Sequence, residues 1–148
     1  MEMPPSQYVL RSPASECDWD AYHAIRRAVL FEARGHVGTY DPHHPDDRRP
    51  GNHPKLLLFA GEPVGVLRID IVQPRAIFRR VAVREEAQRR GHGRAMLRLA
   101  EDFAREQGCS TIVSFVDPGA VEFYRKCGFA TETPAGQGDA SVLMAKVI

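Results

Sequence analysis

The clearest hydrophobic pattern in the chain lies between residues 91 and 107. Four apolar residues recur there at the i, i+3, i+4, i+7 spacing that one helix face presents to a core: Met96, Leu99, Ala100 and Phe103. Gly108 follows at the position where many helices end in a left-handed residue. The pattern predicts an amphipathic helix over 91–107.

A second helix is predicted over residues 15–35. Its apolar stripe consists of three residues spaced for one helix face: Tyr22, Ile25 and Val29. Asp18 is the expected N-cap, and Gly35 is the expected end of the helix. A third, shorter helix is predicted over 117–128, because Asp117 can cap it and a proline follows in its first turn.

Short runs rich in aliphatic and β-branched residues predict the strands. They are 7–11, 55–61, 62–73, 75–83, 110–116 and 140–148. The three central runs are joined by tight turns at 61–63 and at Pro74, so they should form an antiparallel meander. Strands that dominate early and alternate with helices late predict a mixed α+β fold with one central sheet.

The connection 36–54, HVGTYDPHHPDDRRPGNHP, contains four prolines and four of the six histidines. A connection of this length is unusual inside a compact domain and is often a lid or a mobile segment. Its histidines, with Asp46 and Asp47, match no spacing of a known ligand set, so no metal is expected.

Composition narrows the class of protein. The 148 residues suit a single domain spanning 1–148, with 43% hydrophobic and 26% charged residues. No apolar run is long enough to span a membrane, and the N-terminus does not resemble a secretory signal. A net charge of +1 argues against nucleic acid as the main partner. The three cysteines form no metal-like pair, so reduced thiols and a cytoplasmic location are expected.

The segment 88–97, QRRGHGRAML, places two glycines and three arginines where a strand leads into a helix. A helix N-terminus presents unpaired amides and the positive end of a dipole, and glycine lets an anion approach the main chain. Turn geometry alone would explain the same glycines, and neither a dinucleotide fingerprint nor a Walker loop is matched. A phosphate-bearing ligand and a purely structural turn both remain open from this loop alone.

Two segments in register resemble the GNAT superfamily of acetyl-CoA-dependent N-acetyltransferases. VAVREEAQRRGHGRAMLRLAEDFAREQG carries the pattern Q/R-x-x-G-x-G/A at residues 88–93, and DPGAVEFYRKCGF resembles N-x-x-A-x-x-F-Y-x-x-x-G-F. Together they span 81–129. The resemblance implies a single GNAT-like domain of the α+β class. Its central, mostly antiparallel mixed sheet would be flanked by helices, with a splayed strand pair holding the cofactor.

The same resemblance implies acetyl-CoA as the acetyl donor. Its pantetheine arm would bind the main chain of Val81, Ala82 and Val83. Its pyrophosphate would lie on the loop formed by Gln88, Arg89, Arg90, Gly91, His92, Gly93 and Arg94. The His92 side chain is expected to point to solvent. Asp117 stands where the family usually has asparagine, and it is interpreted mainly as an N-cap beside the cofactor.

Tyr124 is implied as the general acid. A phenol with an ordinary pKa of about 10 keeps its proton at neutral pH and can donate it to a basic thiolate. The residue also lies on the apolar stripe of its helix, so a buried core tyrosine is the structural alternative.

The general base is harder to place, because many relatives carry a glutamate on the strand matching 75–83 and none is present here. Asp70 on the neighbouring strand is expected either to face the acceptor amine as the base or to pair with Arg80. Three other carboxylates remain open as the base: Glu32, Glu85 and Glu86. A water relay to a distant carboxylate also remains open.

The implied reaction is direct acetyl transfer, in a ternary complex, to a primary amine of a small molecule or peptide. The alternative is a catalytically silent acyl-CoA-binding or regulatory domain of the same fold. The resemblance assigns the connection 36–54 to substrate access. Acidic residues in it favour a cationic acceptor and adjacent arginines oppose one, so the acceptor is not determined. Homodimers are common in the family, although no residue here argues for one.

Overall fold

The fold is described by a computed structural model covering residues 7–132 and 141–148. Residues 1–6, and Ala140 at the start of the predicted last strand, lie outside the described residues. The strands of the described part are β1 (Tyr8–Arg11), β2 (Asn52–Phe59), β3 (Glu62–Val72), β4 (Arg75–Val83), β5 (Thr111–Val116), β6 (Ala130–Thr131) and β7 (Val142–Val147). Its α-helices are α1 (Glu16–Arg26), α2 (His92–Glu106) and α3 (Val121–Lys126).

The strands form one mixed sheet in the order β1-β2-β3-β4-β5-β7-β6. Neighbouring strands are antiparallel except β4 and β5, which are parallel. On one face, Tyr22 and Ile25 of α1 share a buried cluster with Leu56 and Val66 of the sheet. On the other, α2 and Tyr124 of α3 belong to the larger cluster. The predicted fold class, a mostly antiparallel mixed sheet flanked by helices, is confirmed.

Local sequence signals place most helix ends correctly. The predicted helix 91–107 is observed as α2, and Gly108 follows it with φ +82°. The predicted cap of α1 is wrong by three residues. Ser15 is the N-cap, because its hydroxyl accepts from the Asp18 amide, while the Asp18 carboxylate accepts back from the Ser15 amide. After α1 the chain continues as a π-helical turn and a 3-10 turn, together Arg27–Arg34 and here called the α1 extension, and ends at Gly35.

β2 begins at Asn52, three residues before the predicted start, and includes Pro54. A proline is tolerated there because β1 pairs only with the later residues 56–59 of β2, so this part of the strand is an edge on that side. The predicted helix 117–128 is divided into a 3-10 turn, Pro118–Ala120, followed by α3. The short strand β6 was not predicted.

β4 contains a bulge that determines the shape of the site. Its register with β3 shifts between Val66 and Arg68, and Arg80 adopts φ +55° at this point. Ala76 and Phe78 lie in the cluster under α2, whereas Ala82 lies in the cluster under α1. The bulge therefore reverses the face that each following residue presents, which is the usual effect of an extra residue in one strand.

β4 and β5 separate just before this bulge. Their pairing runs from Arg75 with Thr111 to Phe78 with Ser114 and stops there. Residues 79–83 of β4 therefore have no β5 partner among the described residues. The predicted splayed strand pair is present at this position.

Candidate active site

A cleft of about 1680 Å³ opens where β4 and β5 separate. Its walls come from the α1 extension, the connection 36–51, the loop 88–94 and the start of α3. The predicted cofactor-binding residues except Arg90 line this cleft, as do Tyr124 and Asp70, whereas the alternative bases Glu32, Glu85 and Glu86 do not. The tertiary structure thus gathers residues from separate segments of the chain into one site.

The loop 88–94 includes Gly91, which precedes α2 with φ +88° and provides no side-chain cap. Within residues 7–132 and 141–148, no group accepts a hydrogen bond from the six consecutive amides of 89–94. Unpaired amides at a helix N-terminus favour an anion, and the exposed Arg89 and Arg94 add positive charge at the cleft. The loop therefore has the donors and the positive charge that an anion requires.

Gln88 and Gly93 have structural roles in this loop. The Gln88 side-chain amide donates to the Val83 carbonyl at 2.9 Å, which ties the loop to the end of β4. A Cβ at Gly93 would lie 3.1 Å from the Phe123 ring, so this glycine also lets α2 approach α3 closely. Both residues support the shape of the loop around Gly91.

The expectation that His92 points to solvent is wrong. Its side chain is buried, and its Nδ1 lies 2.8 Å from the Tyr8 hydroxyl. The ring also packs against Phe59, with ring centroids 5.0 Å apart. Burial, followed by the charge of Arg90, lowers the pKa of His92. The residue anchors the first turn of α2 to β1 and β2, because at this helix position its side chain points back toward the sheet.

Tyr124 lies at the point where the two strands part. It is only 5% exposed, and burial raises the pKa of its phenol to about 12, although a hydrogen bond with Ser114 lowers it. The Ser114 hydroxyl itself donates to the Phe78 carbonyl at 3.1 Å, the last paired position of β4. The phenol therefore keeps its proton at any physiological pH and can act as a proton donor in the cleft.

The family model that matches this chain is the acetyltransferase (GNAT) family, over residues 19–129. The chain belongs to this family. The matched region runs from α1 to the residue before β6 and includes both the loop 88–94 and Tyr124. Membership identifies the protein as an acetyltransferase, as the two motifs predicted.

Solved structures of GNAT proteins resemble this chain over nearly its whole length. A Lactobacillus plantarum protein assigned as an N-acetyltransferase has a TM-score of 0.78 and 26% identity, covering 95% of this chain and 97% of that one. Ribosomal-protein-S18-alanine N-acetyltransferase from Escherichia coli has a TM-score of 0.74 and 21% identity, covering 95% of this chain and 94% of that one. PaiA N-acetyltransferase from Thermoplasma acidophilum, in complex with coenzyme A, has a TM-score of 0.73 and 16% identity, covering 95% and 99%. Among curated proteins, none matches this chain by sequence.

In this acetyltransferase, Asp70 is buried and its two oxygens are held by arginines. Oδ1 accepts from Arg68 Nε at 2.7 Å, and Oδ2 accepts from Arg68 Nη2 at 2.9 Å and from Arg79 Nε at 3.0 Å. The predicted pairing with Arg80 is thus replaced by pairing with Arg79 and Arg68, because the bulge separates Arg80 from the register of β3. These charge-assisted hydrogen bonds fix the carboxylate on the wall of the cleft.

Asp117 caps the turn after β5, as predicted. Its Oδ1 accepts from the Gly119 amide at 3.2 Å, and its Oδ2 lies 3.5 Å from Arg34 Nη2. Arg34 belongs to the α1 extension, so this ion pair joins the two walls of the cleft. Sequence alone could not foresee it, because the partners lie in distant segments of the chain.

Arg26 and Tyr40 line the cleft and were not predicted as site residues from the sequence. Arg26 donates to Asp47 at 2.9 Å and to the Tyr22 hydroxyl, and all three residues are buried. Tyr40 lines the cleft and is hydrogen-bonded to His23 Nδ1. Burial lowers the pKa of His23 and raises that of Tyr40. The sequence does offer one signal for this cluster. Tyr22 and Arg26 are four residues apart, so they share one helix face, and a buried arginine there requires an acidic partner.

Membrane-spanning helices and metal clusters are both missing from the described part of the chain. Across residues 7–132 and 141–148, no helix is both long and apolar enough to cross a membrane. Over the same residues, no group of three or more histidine, cysteine or acidic side chains could hold a metal ion.

Proposed function

We propose that this GNAT acetyltransferase transfers the acetyl group of acetyl-CoA directly to a primary amine of a small molecule or peptide. Both substrates would occupy the cleft together. The observation that supports the proposal is the coincidence, in one cleft, of the free β4 edge, the unpaired amides of 89–94 and the protonated Tyr124. The coenzyme A complex of the Thermoplasma acidophilum protein, which has the same fold, supports the choice of donor.

Different residues would bind the cofactor, polarise the thioester carbonyl and donate the proton. The loop 88–94 would hold the pyrophosphate, and the main chain of Val81, Ala82 and Val83 would hold the pantetheine arm. When bound, acetyl-CoA supplies an activated thioester. An amide of the bulged segment at Val81 would polarise its carbonyl, and Tyr124 would give a proton to the departing sulfur.

Asp70 stays a prediction as the proton acceptor for the amine. Its oxygens already accept from Arg68 and Arg79, which competes with that role. The pH profile of kcat in the variant D70N distinguishes whether Asp70 is the base or only positions the arginines. A base is expected to give the profile an acidic limb that D70N abolishes, with a rate loss of about 100-fold or more. A limb unchanged in D70N would assign Asp70 to positioning of the arginines.

The deciding experiment is calorimetric titration with acetyl-CoA, followed by an assay of CoA release with and without amines. Dephospho-acetyl-CoA and NAD serve as comparison ligands. Binding of acetyl-CoA together with amine-dependent CoA release is the expected result. Binding without release by any amine would favour the silent acyl-CoA-binding domain, and absence of binding would reject both proposals.

A further inference from the structure

The acceptor side of the cleft, formed by the end of α1, the α1 extension, the connection 36–51, the second half of β3 and the start of the β4 bulge, is lined by arginines that are almost all neutralised. Its ion pairs join guanidinium and carboxylate groups within 4 Å of each other: Arg26 with Asp47, Arg68 and Arg79 with Asp70, Arg49 with Asp46, and Arg34 with Asp117. Each of these carboxylates is therefore committed to an arginine. Of the acids that line the cleft in residues 7–132 and 141–148, only Asp41 has no arginine partner.

Arg80 is the exception among these arginines. Within residues 7–132 and 141–148, no carboxylate lies within salt-bridge distance of its guanidinium. It is exposed on the lining of the cleft, and its guanidinium lies 5.7 Å from the centre of the Phe31 ring. Its φ of +55° belongs to the bulge, a device that commonly re-aims a side chain beside an active site.

Arg26 contributes a second unsatisfied donor on the same lining. Two of its nitrogens contact Asp47 and Tyr22, but its Nε has no hydrogen-bond partner in the part of the chain that the structure describes. The side chain is only 5% exposed. A buried donor of a charged group that lacks an acceptor is costly, so Arg26 adds positive charge that the surrounding residues do not fully satisfy.

The electrostatic environment of Arg80 agrees with this geometry. Partial desolvation of its guanidinium lowers the pKa of Arg80, and the charges of Arg26, Arg68 and Arg79 lower it further, whereas Asp47 raises it. The neighbouring guanidiniums therefore repel the charge on Arg80. An anion at this position would relieve the repulsion and occupy donors that the protein itself does not satisfy.

We propose that the amine acceptor carries an anionic oxygen group, a carboxylate or a phosphate, which binds the guanidinium of Arg80. This inference rests on the proposed acetyl transfer. Arg80 immediately precedes Val81, so an anion held there places the rest of the acceptor next to the segment assigned to the acetyl carbonyl. The fork of a guanidinium suits either oxygen group, and matched acceptors distinguish them.

The test compares matched acceptors that differ in one anionic group. Alanine is compared with alaninamide, and O-phosphoethanolamine with ethanolamine, while spermidine represents cationic acceptors. The kcat/KM for acceptor-dependent CoA release is expected to favour the anionic member of one pair by about 10- to 100-fold, the usual effect of a charge-assisted hydrogen bond. Preference within the first pair would identify a carboxylate, and within the second a phosphate.

The substitution R80Q should abolish this preference. We expect kcat/KM for the anionic acceptor to fall by about 10- to 100-fold, with a change below about threefold for its neutral partner. R80K should retain part of the preference because it keeps the charge without the fork. R75Q is the matched control, because Arg75 lies on the same strand, is exposed and does not line the cleft. Acetyl-CoA affinity and thermal stability of each variant verify that it is folded.

Direct binding keeps this inference separable from the proposed function. Alanine and O-phosphoethanolamine are titrated into the protein saturated with CoA, which requires no turnover. Binding that is lost in R80Q but not in R75Q supports the anion site. The anion site would be overturned if R80Q and R75Q bound the anion equally well, or if neither alanine nor O-phosphoethanolamine bound. Faster acetylation of neutral or cationic amines would also overturn it. Failure of acetyl-CoA itself to bind would instead reject the proposed function.

Discussion

At Gly91 the backbone enters α2 with φ +88°, a conformation that residues with a Cβ adopt only under strain. A Cβ at this position would meet no heavy atom within 4 Å, so the space around it is open. The need for glycine is therefore conformational, and it sets the direction of the unpaired amides around it. Arg89, with φ +66°, adopts the same unusual region without being glycine. Left-handed residues two positions apart give this loop its concave run of donors.

Replacing Gly91 with alanine tests whether this backbone binds the coenzyme. We expect G91A to remain folded, with a stability loss of about 1–2 kcal/mol from its left-handed conformation. Its affinity for acetyl-CoA should fall by about tenfold or more, since amides that bind a charged group would be displaced. Calorimetry measures the affinity and thermal unfolding the stability. G61A is the control, because Gly61 has φ +84°, equally open space and no place on the cleft. Equal affinity in both variants would remove the loop from the binding site.

Tyr124 is buried enough to be an ordinary core residue, so its role must be separated from its packing. Y124F should lower kcat by about 100-fold or more and leave acetyl-CoA affinity nearly unchanged, because only a proton donor is removed. S114A is the matched control, since it removes the hydrogen-bond partner of the phenol and keeps the phenol itself. Steady-state kinetics from about pH 6 to about pH 10 make the measurement, a range that spans the ordinary phenol pKa. If Y124F and S114A lost activity to the same extent, the phenol would be structural.

Because its pKa is about 12, Tyr124 should contribute no alkaline limb within this range.

The connection between α1 and β2 is attached to the rest of the fold through a buried carboxylate. Its 3-10 turn, Pro45–Arg48, carries Asp47 into a buried position between Arg26 of α1 and Arg68 of β3. Asp47 lies 2.9 Å from Arg26 and 3.9 Å from Arg68. A single buried carboxylate thus fixes the connection to a helix and to the sheet, while its neighbours Asp46 and Arg49 line the cleft.

The neighbouring acids Asp46 and Asp47 provide a matched test of this element. D47N should lower the free energy of unfolding by about 3–5 kcal/mol, because it leaves buried guanidinium charge without its partner. D46N should cost less than about 1 kcal/mol, because the Arg49 guanidinium that it pairs with is largely exposed. Urea denaturation followed by circular dichroism gives both values. Similar losses in the two variants would show that the buried pair does not hold the connection.

For the molecule as a whole, three partly or fully buried histidines link stability to pH. Burial lowers the pKa of His23, His53 and His92 below the ordinary value of about 6.5. Between the folded and unfolded values the unfolded chain binds more protons, so the free energy of unfolding falls as the pH drops below about 6.5. The carboxylates with lowered pKa, Asp18 and Glu86, act in a separate window below about pH 4.5.

Thermal unfolding between about pH 8 and about pH 5 should therefore show a constant Tm down to about pH 6.5 and a decline below it. H92Q should flatten this decline, because one of the three histidines no longer titrates. H36Q is the control, because His36 is exposed and should leave the profile unchanged. A decline of the same steepness in H92Q and the wild type would mean that His92 is not responsible.

Local sequence signals were sufficient to predict most helices and strands and the glycine turn before α2. The i, i+3, i+4 stripe of α2, the limits of β4 and the glycine pattern of 88–93 were all readable, because helix periodicity, strand composition and left-handed turns depend on neighbouring residues. The capping error at α1 has the same local origin. Ser15 and Asp18 satisfy one another in a capping box, and either could have been the cap from sequence alone.

Contacts between distant segments could not be predicted from local sequence patterns. The β4 bulge reverses which face its residues present, so alternation along 75–83 could not reveal that Arg80 leaves the register that pairs Arg79 with β3. His92 is buried only because Tyr8 and Phe59 are brought against α2. The partners of Asp70 and Asp47 are likewise set by packing. Periodicity and turn chemistry act over a few residues, so the sequence by itself determines them. Burial and charge pairing depend on which segments the folded sheet brings together, so only the tertiary structure decides them.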